Sequence, residues 1–181
     1  PREKIRSLRC AADLRGFEPN FEPGPYFFCH SRLIPEKGIM TLLEAAAILP
    51  EAQIRIAGTG PDAHRLETFA REKKLANVVF LGFLSGGALR SAIRCARAVV
   101  VPSNCYETGP LAGLEALALG KPVIGARIGG IREMVVEAET GLLFDPLDPA
   151  ALAARMRELM DSEDRCRQMG RAAAAAARRQ C

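Results

Sequence analysis

The stretch from Val99 to Ile124 restricts what this chain can fold into more than any other. It opens on the β-branched run Val99-Val100-Val101, which suits a strand buried on both faces. Pro102 and Ser103 end the run, and a polar loop follows. Pro110 suits the first turn of a helix, where its missing N–H is no loss. Leu111, Leu114, Leu117 and Leu119, with alanines between them, make that helix apolar nearly all round, so it is expected to be buried. Gly120 stops it, and Lys121-Pro122 leads straight into a second apolar strand.

Two carboxylates interrupt this unit, Glu107 in the loop and Glu115 on the helix. A carboxylate on a buried helix needs hydrogen-bond donors or a polar ligand, because burying it alone is strongly unfavourable. The loop between strand and helix lies at the carboxyl edge of the sheet, where open α/β folds bind ligands. The helix start there offers free N–H groups and the positive end of a dipole, which suit phosphate. Carboxylates accept hydrogen bonds and so suit hydroxyls. A ligand with both phosphate and sugar hydroxyls meets both requirements. Spacing alone leaves a second account of Glu115 open, in which it caps a neighbouring helix or pairs with an arginine.

The strand-helix alternation recurs along the chain. Strands are expected over Tyr26 to His30, Gln53 to Ala57, Val78 to Leu81, Ala98 to Val101, Val123 to Ala126 and Gly141 to Phe144. Helices are expected over Ile39 to Leu49, from a cap at Asp62 to about Lys74, and over Ser85 to Cys95. Gly129-Gly130 opens a short one over Arg132 to Val136. Two more run from Asp148-Pro149 to about Met160 and onward from a Ser162 cap. This order argues an α/β fold with a doubly wound parallel sheet. Right-handed crossovers then bring loops 31–38, 58–62, 82–87, 102–110 and 126–131 to one edge. Residues 1–24, with Arg2, Lys4, Arg6, Arg9 and Arg15 and then Pro19, Pro23 and Gly24, read as a linker or arm that packs on a preceding neighbour. Residues 25–181 read as one domain.

With 181 residues, 49% of them hydrophobic and 25% charged, the chain is long enough for one well-buried domain. No apolar run approaches the roughly 20 residues of a membrane span. The net charge of +4 is spread along the chain without aromatic interleaving, which argues against a nucleic-acid partner. A basic face touching an anionic membrane, at its inner side, stays open. The six cysteines include no C-x-x-C pair, and His30 and His64 are not at zinc-ligand spacings from them. No metal site is expected, and the thiols fit a reducing, cytoplasmic setting. His30 ends the first strand, where it either reaches the cleft or, the commoner case, is a satisfied structural histidine. His64, in a polar helix start, is expected to face solvent.

Glu107 and Glu115 have seven residues between them, after Val-Pro-Ser and before Gly-Lys-Pro-Val. In this they resemble the E-x7-E motif of GT-B glycosyltransferases, family 4. The likeness extends from about Tyr26 to Gly170. Arg32, Leu33, Lys37 and Gly38 match the family's R-L-x-x-x-K-G, Gly58-Thr59-Gly60-Pro61 resembles its G-x-G-P turn, and Gly129-Gly130-Ile131-Arg132-Glu133 resembles its G-G-x-x-E turn. The commoner motif has Phe-Gly two and three places after the first glutamate. Gly109 and Pro110 stand there in this chain, closer to a branch with E-N-x-P.

The resemblance implies the Rossmann-like C-terminal half of such an enzyme, binding a nucleoside-diphosphate sugar. It implies retaining, metal-independent transfer with no cofactor, to an acceptor in polysaccharide or glycolipid synthesis. Arg32 and Lys37 would hold the leaving diphosphate, Glu107 the transferred sugar's hydroxyls and Glu115 the ribose diol. The amides of Leu111 and Ala112 would face the diphosphate, Gly58 and Gly60 would admit the donor to the backbone, and Phe83 would stand at the base or in the core. In the family the acceptor site lies on a preceding domain, so this piece is expected to bind donor weakly and not to transfer sugar alone. A noncatalytic nucleotide- or sugar-binding module is the alternative. A nicotinamide site is disfavoured, since the third glycine of G-x-G-x-x-G and the ribose acid about 20 residues on are both missing.

Overall fold

The computed structural model describes residues 16–180. Among them, β1 (Tyr26–His30), β2 (Gln53–Ala57), β3 (Val78–Phe80), β4 (Ala98–Val101), β5 (Val123–Ala126) and β6 (Gly141–Phe144) form one parallel sheet in the order β3-β2-β1-β4-β5-β6. The intervening helices are α1 (Ile39–Ile48), α2 (Ala63–Glu72), α3 (Gly86–Arg94), α4 (Leu111–Ala118), α5 (Gly129–Met134), α6 (Pro149–Met160) and α7 (Glu163–Gln180). The central strands β1, β4 and β5 are almost continuously apolar because both their faces are covered, whereas β2 alternates, with Gln53 and Arg55 exposed. Successive side chains go to opposite layers. Phe27 and Cys29 pack with α1, α2 and α6, whereas Tyr26 and Phe28 pack with α3, α4 and α5. α7 spans both layers, giving Cys166 and Met169 to the first and Ala173 and Ala177 to the second.

The chain winds outward from β1 to β3, then returns to the other side of β1 for β4. That reversal leaves a crevice between the loops after β1 and β4, the place where open sheets of this kind bind ligands. The loops are joined by backbone. Ser31 N–H donates to Ala57 O (3.1 Å), Leu33 N–H to Thr59 O (2.8 Å), Gly58 N–H to Gly82 O (2.7 Å), Asn104 N–H to Glu36 O (3.0 Å) and Gly130 N–H to Glu107 O (2.6 Å). All five expected loops therefore meet at one edge.

Three local expectations are corrected. The Asp62 carboxylate does not cap α2; Arg65, one turn on, takes it with two hydrogen bonds of 2.6 and 2.8 Å. α4 is buried except at its start, where Leu111 is 53% exposed at the crevice. α5 begins on Gly129 itself and ends at Met134. The expectation that 1–24 form an arm lies outside the described residues up to residue 15. The part that is described, 16–24, lies along this chain's own helices. Asn20 N–H donates to Leu119 O, Gly24 N–H to Ala96 O, and the buried Lys121 gives its Nζ proton to Glu22 O at 2.7 Å. Burial pulls the Lys121 ammonium down to about 8.

Gly38 links the two loops that flank the crevice. It has φ 66°, and a Cβ there would collide with the Pro102 carbonyl. Gly38→Ala is expected to destabilise the chain by about 2–4 kcal/mol, through left-handed strain plus the collision. Gly87, inside α3, has nothing within 4 Å of a Cβ position. Gly87→Ala should instead add about 0.5–1 kcal/mol from helix propensity. Urea midpoints of the two variants check both signs.

Candidate functional site

A cleft of about 460 Å³ opens at the crevice, lined among others by His30, Arg32, Lys37, Glu107, Leu111, Ala112 and Glu115. Each residue is set by a strand end or helix start. His30 is the last residue of β1, and Arg32 follows it. Pro35–Lys37 forms a single 3₁₀ turn closed by Gly38, which aims Lys37 across the cleft. Glu107 sits in the loop after β4. Its backbone is clamped by the Gly129-Gly130 turn, where side chains would collide with the main chain of Glu107 and Thr108. Glu115 stands one turn into α4, on the face left open beside Leu111.

The charges do not all stand as the motifs suggest. Lys37 Nζ and Glu107 Oε2 form an ion pair at 3.0 Å, joining the residue expected on phosphate to the one expected on sugar. The other Glu107 oxygen, Oε1, is shut from solvent and has no hydrogen-bond partner among the described residues. Arg32 is exposed at the cleft and has no carboxylate partner among the described residues. Burial raises the Glu115 carboxyl above its ordinary range, with Arg90 partly opposing it. The α4 amides of Leu111 and Ala112 donate to no backbone carbonyl among the described residues, and Pro110 provides no side-chain cap. That helix start is an open anion seat.

A second recess of about 370 Å³ continues the cleft past Arg32 and is lined by Gly58, Thr59, Phe83, Leu84 and Gly86. Phe83 is 72% exposed there, which settles it as surface rather than core. Gly58 lines the recess, but its missing side chain makes room for Ser31 O of the neighbouring loop. Gly60 lines neither space. A Cβ on it would collide with the Leu33 backbone, so its role is to let loop 58–62 lie on loop 31–38. Glu133 and His64 are both exposed.

The residue that sequence underrated is His30. Its Nε2 is buried, lacks a hydrogen-bond partner among the described residues and faces Glu115 Oε2 at 3.5 Å. It is not a satisfied structural histidine. Burial holds the imidazole neutral, drawing its pKa down to about 4, with the Ala112 backbone partly opposing. The available signal was its place, two residues before Arg32 at a strand end that faces the crevice.

A family model described as glycosyl transferases group 1 matches residues 12–176. The chain is 35% identical to the glycogen synthase of Mycobacterium tuberculosis over 147 residues, which is 78% of this chain and 35% of that protein. Among solved structures, a sucrose-phosphate synthase from Thermosynechococcus elongatus matches with TM-score 0.87 and 29% identity, over 96% of this chain and 48% of that one. Anabaena HepE in complex with UDP-glucose matches in fold with TM-score 0.89, at 22% identity, over 99% of this chain and 54% of that one. The chain spans about a third of the length of the curated relatives it matches.

The His30 environment makes stability depend on acid. The unfolded ring takes up a proton near 6.5, the folded ring only near 4, so between these values falling pH favours the unfolded chain. Glu115, with its carboxyl raised, acts with the opposite sign near its own titration and touches His30, so both proteins compared, wild type at position 30 and His30→Leu, carry Glu115→Gln. The protein that keeps His30 is expected to lose about 1–3 kcal/mol more than the one with His30→Leu between pH 6.5 and 4. Urea denaturation across that range checks it, and parallel curves for the two proteins would refute it.

Proposed function

The chain belongs to the glycosyl transferases group 1 family, and on that premise we propose that it is the Rossmann-like, donor-binding half of a retaining glycosyltransferase that uses a nucleoside-diphosphate sugar. The observation that carries the reading is one cleft that gathers Arg32, Lys37, an open helix start, Glu107 and Glu115. Arg32 offers a planar guanidinium for bidentate grip on phosphate, and the α4 amides complete the seat. Glu115 takes the ribose diol at one end of that seat and Glu107 the sugar hydroxyls at the other. The base extends into the recess at Phe83, held largely by backbone groups. The same fold holds UDP-glucose in the Anabaena protein.

The reaction proposed is cleavage of the bond between the sugar carbon and the diphosphate oxygen. Negative charge builds on the diphosphate as that bond breaks. Arg32, Lys37 and the α4 dipole are already aimed at it, which lowers the barrier without reorganisation. The Lys37–Glu107 pair keeps the ammonium in place before the ligand arrives. When a diphosphate enters, Lys37 is shared with it, and Glu107, with one oxygen already unpartnered, turns to the sugar. Transfer itself needs an acceptor, held by a preceding domain of the whole protein, and the product is a polysaccharide or glycolipid linkage. A cytoplasmic setting, at the inner face of a membrane, fits the four free thiols among the described residues. No described helix is long and apolar enough to cross that membrane.

Calorimetric titration with UDP, GDP, ADP and NAD tests the reading. One nucleoside diphosphate should bind and NAD should not. Arg32→Ala and Lys37→Ala should each weaken that binding by about 10–100-fold, the range of a charge-assisted hydrogen bond. In the whole protein, Glu107→Ala should abolish turnover while nucleoside diphosphate still binds. Retained turnover would favour a noncatalytic module instead.

A further inference from the structure

We infer that His30 is a positioning residue for Glu115: its ring N–H holds the carboxylate toward the cleft, and so sets how strongly the site distinguishes a ribonucleotide from a 2′-deoxyribonucleotide. The inference rests on the proposed role of Glu115 and adds the residue that makes that role work. The ring is fixed before any ligand arrives. β1 pairs with β2 as far as His30 opposite Ala57. The imidazole stacks on Phe28 with centroids 5.5 Å apart and planes at 25°. Its Nε2 then faces Glu115 Oε2 at 3.5 Å, out of contact with solvent and without another hydrogen-bond partner among the described residues.

A lone pair on Nε2 would oppose the lone pairs of the carboxylate, so the proton of the neutral ring belongs on Nε2. At 3.5 Å the N–H and the carboxylate are slightly beyond a made hydrogen bond, and such contacts tighten when ligand binds. A buried N–H without a partner is unfavourable in a purely structural role. It is useful where a carboxylate must stay turned toward an incoming diol. Arg90, on α3, is the other charge that acts on Glu115. Arg32 and Lys37 from the loop after β1, and Glu107 from the loop after β4, are the remaining charges around the same cleft. Without His30, Glu115 is free to swing toward Arg90 and away from the ribose.

The test compares, on the chain, whichever of UDP, GDP or ADP binds tightest with its 2′-deoxy counterpart. Wild type should prefer the ribonucleotide by about tenfold or more, the value of a hydrogen bond to a charged group. His30→Leu should bring the preference to within about threefold while binding of the deoxynucleotide changes little. His30→Gln, which restores an N–H donor, should recover most of it. A second readout needs no substitution at His30. In a His64→Gln background the one remaining histidine should show an Nε2–H resonance that shifts with the ribonucleotide and not with the deoxynucleotide. Wild type that binds both nucleotides equally overturns the proposed role of Glu115, and the inference with it. Wild type that discriminates beside a His30→Leu variant that discriminates equally overturns the inference alone. So does a proton found on Nδ1 only, or a His30→Leu variant that weakens both nucleotides by the same factor.

Discussion

Where the loops after β1 and β4 meet, Gly38 approaches the Pro102 carbonyl so closely that no side chain can stand between them. The same kind of contact recurs along the edge. Gly58 lies on Ser31, Gly60 on Leu33, and Gly129-Gly130 on Glu107 and Thr108. Backbone resting on backbone, with hydrogen bonds between the loops, leaves little slack. The side chains that matter are short steps from these contacts: Arg32 and Lys37 on one loop, Glu107 on another. Their positions are set by main chain rather than by their own packing, which suits a site that must be ready before its ligand arrives.

The cleft formed this way carries cations and carboxylates together. Left alone, such groups partner one another, and Lys37 and Glu107 do so. What is left over among the described residues is informative: a guanidinium without a carboxylate, one orphaned carboxylate oxygen, one orphaned imidazole nitrogen and two open amides. Most of those leftovers are donors, which suits the oxygen-rich diphosphate of the ligand proposed above. Water could serve any one of them. The proposed ligand, with phosphate at its middle and hydroxyls at both ends, is the kind of molecule that would reach several of them together.

Much of this was legible in the sequence. β-branched runs, glycine stops and caps are local signals, and the strands they mark lie where expected. Strand alternation fixed which loops converge, and hence that Arg32, Lys37, Glu107 and Glu115 share one cleft. What was not legible depends on approach between distant segments. The Lys37–Glu107 pair exists because a 3₁₀ turn and a loop 70 residues later meet across Gly38. His30 is orphaned because Phe28 holds its ring flat while α4 closes over it. Asp62 prefers Arg65 to the amides of its own helix. Gly60 reads as a ligand-facing turn in the motif, yet in space its bare Cα faces another loop.

The central claim is that one cleft seats a diphosphate between two carboxylates that hold polyol groups. A crystal structure of the chain with a bound nucleoside diphosphate tests it most directly. The diphosphate oxygens should lie against Arg32, Lys37 and the amides of Leu111 and Ala112, with the ribose hydroxyls on Glu115. A nucleotide seated elsewhere, such as beside Arg90 and Arg94 on the outer side of α3, would contradict the account.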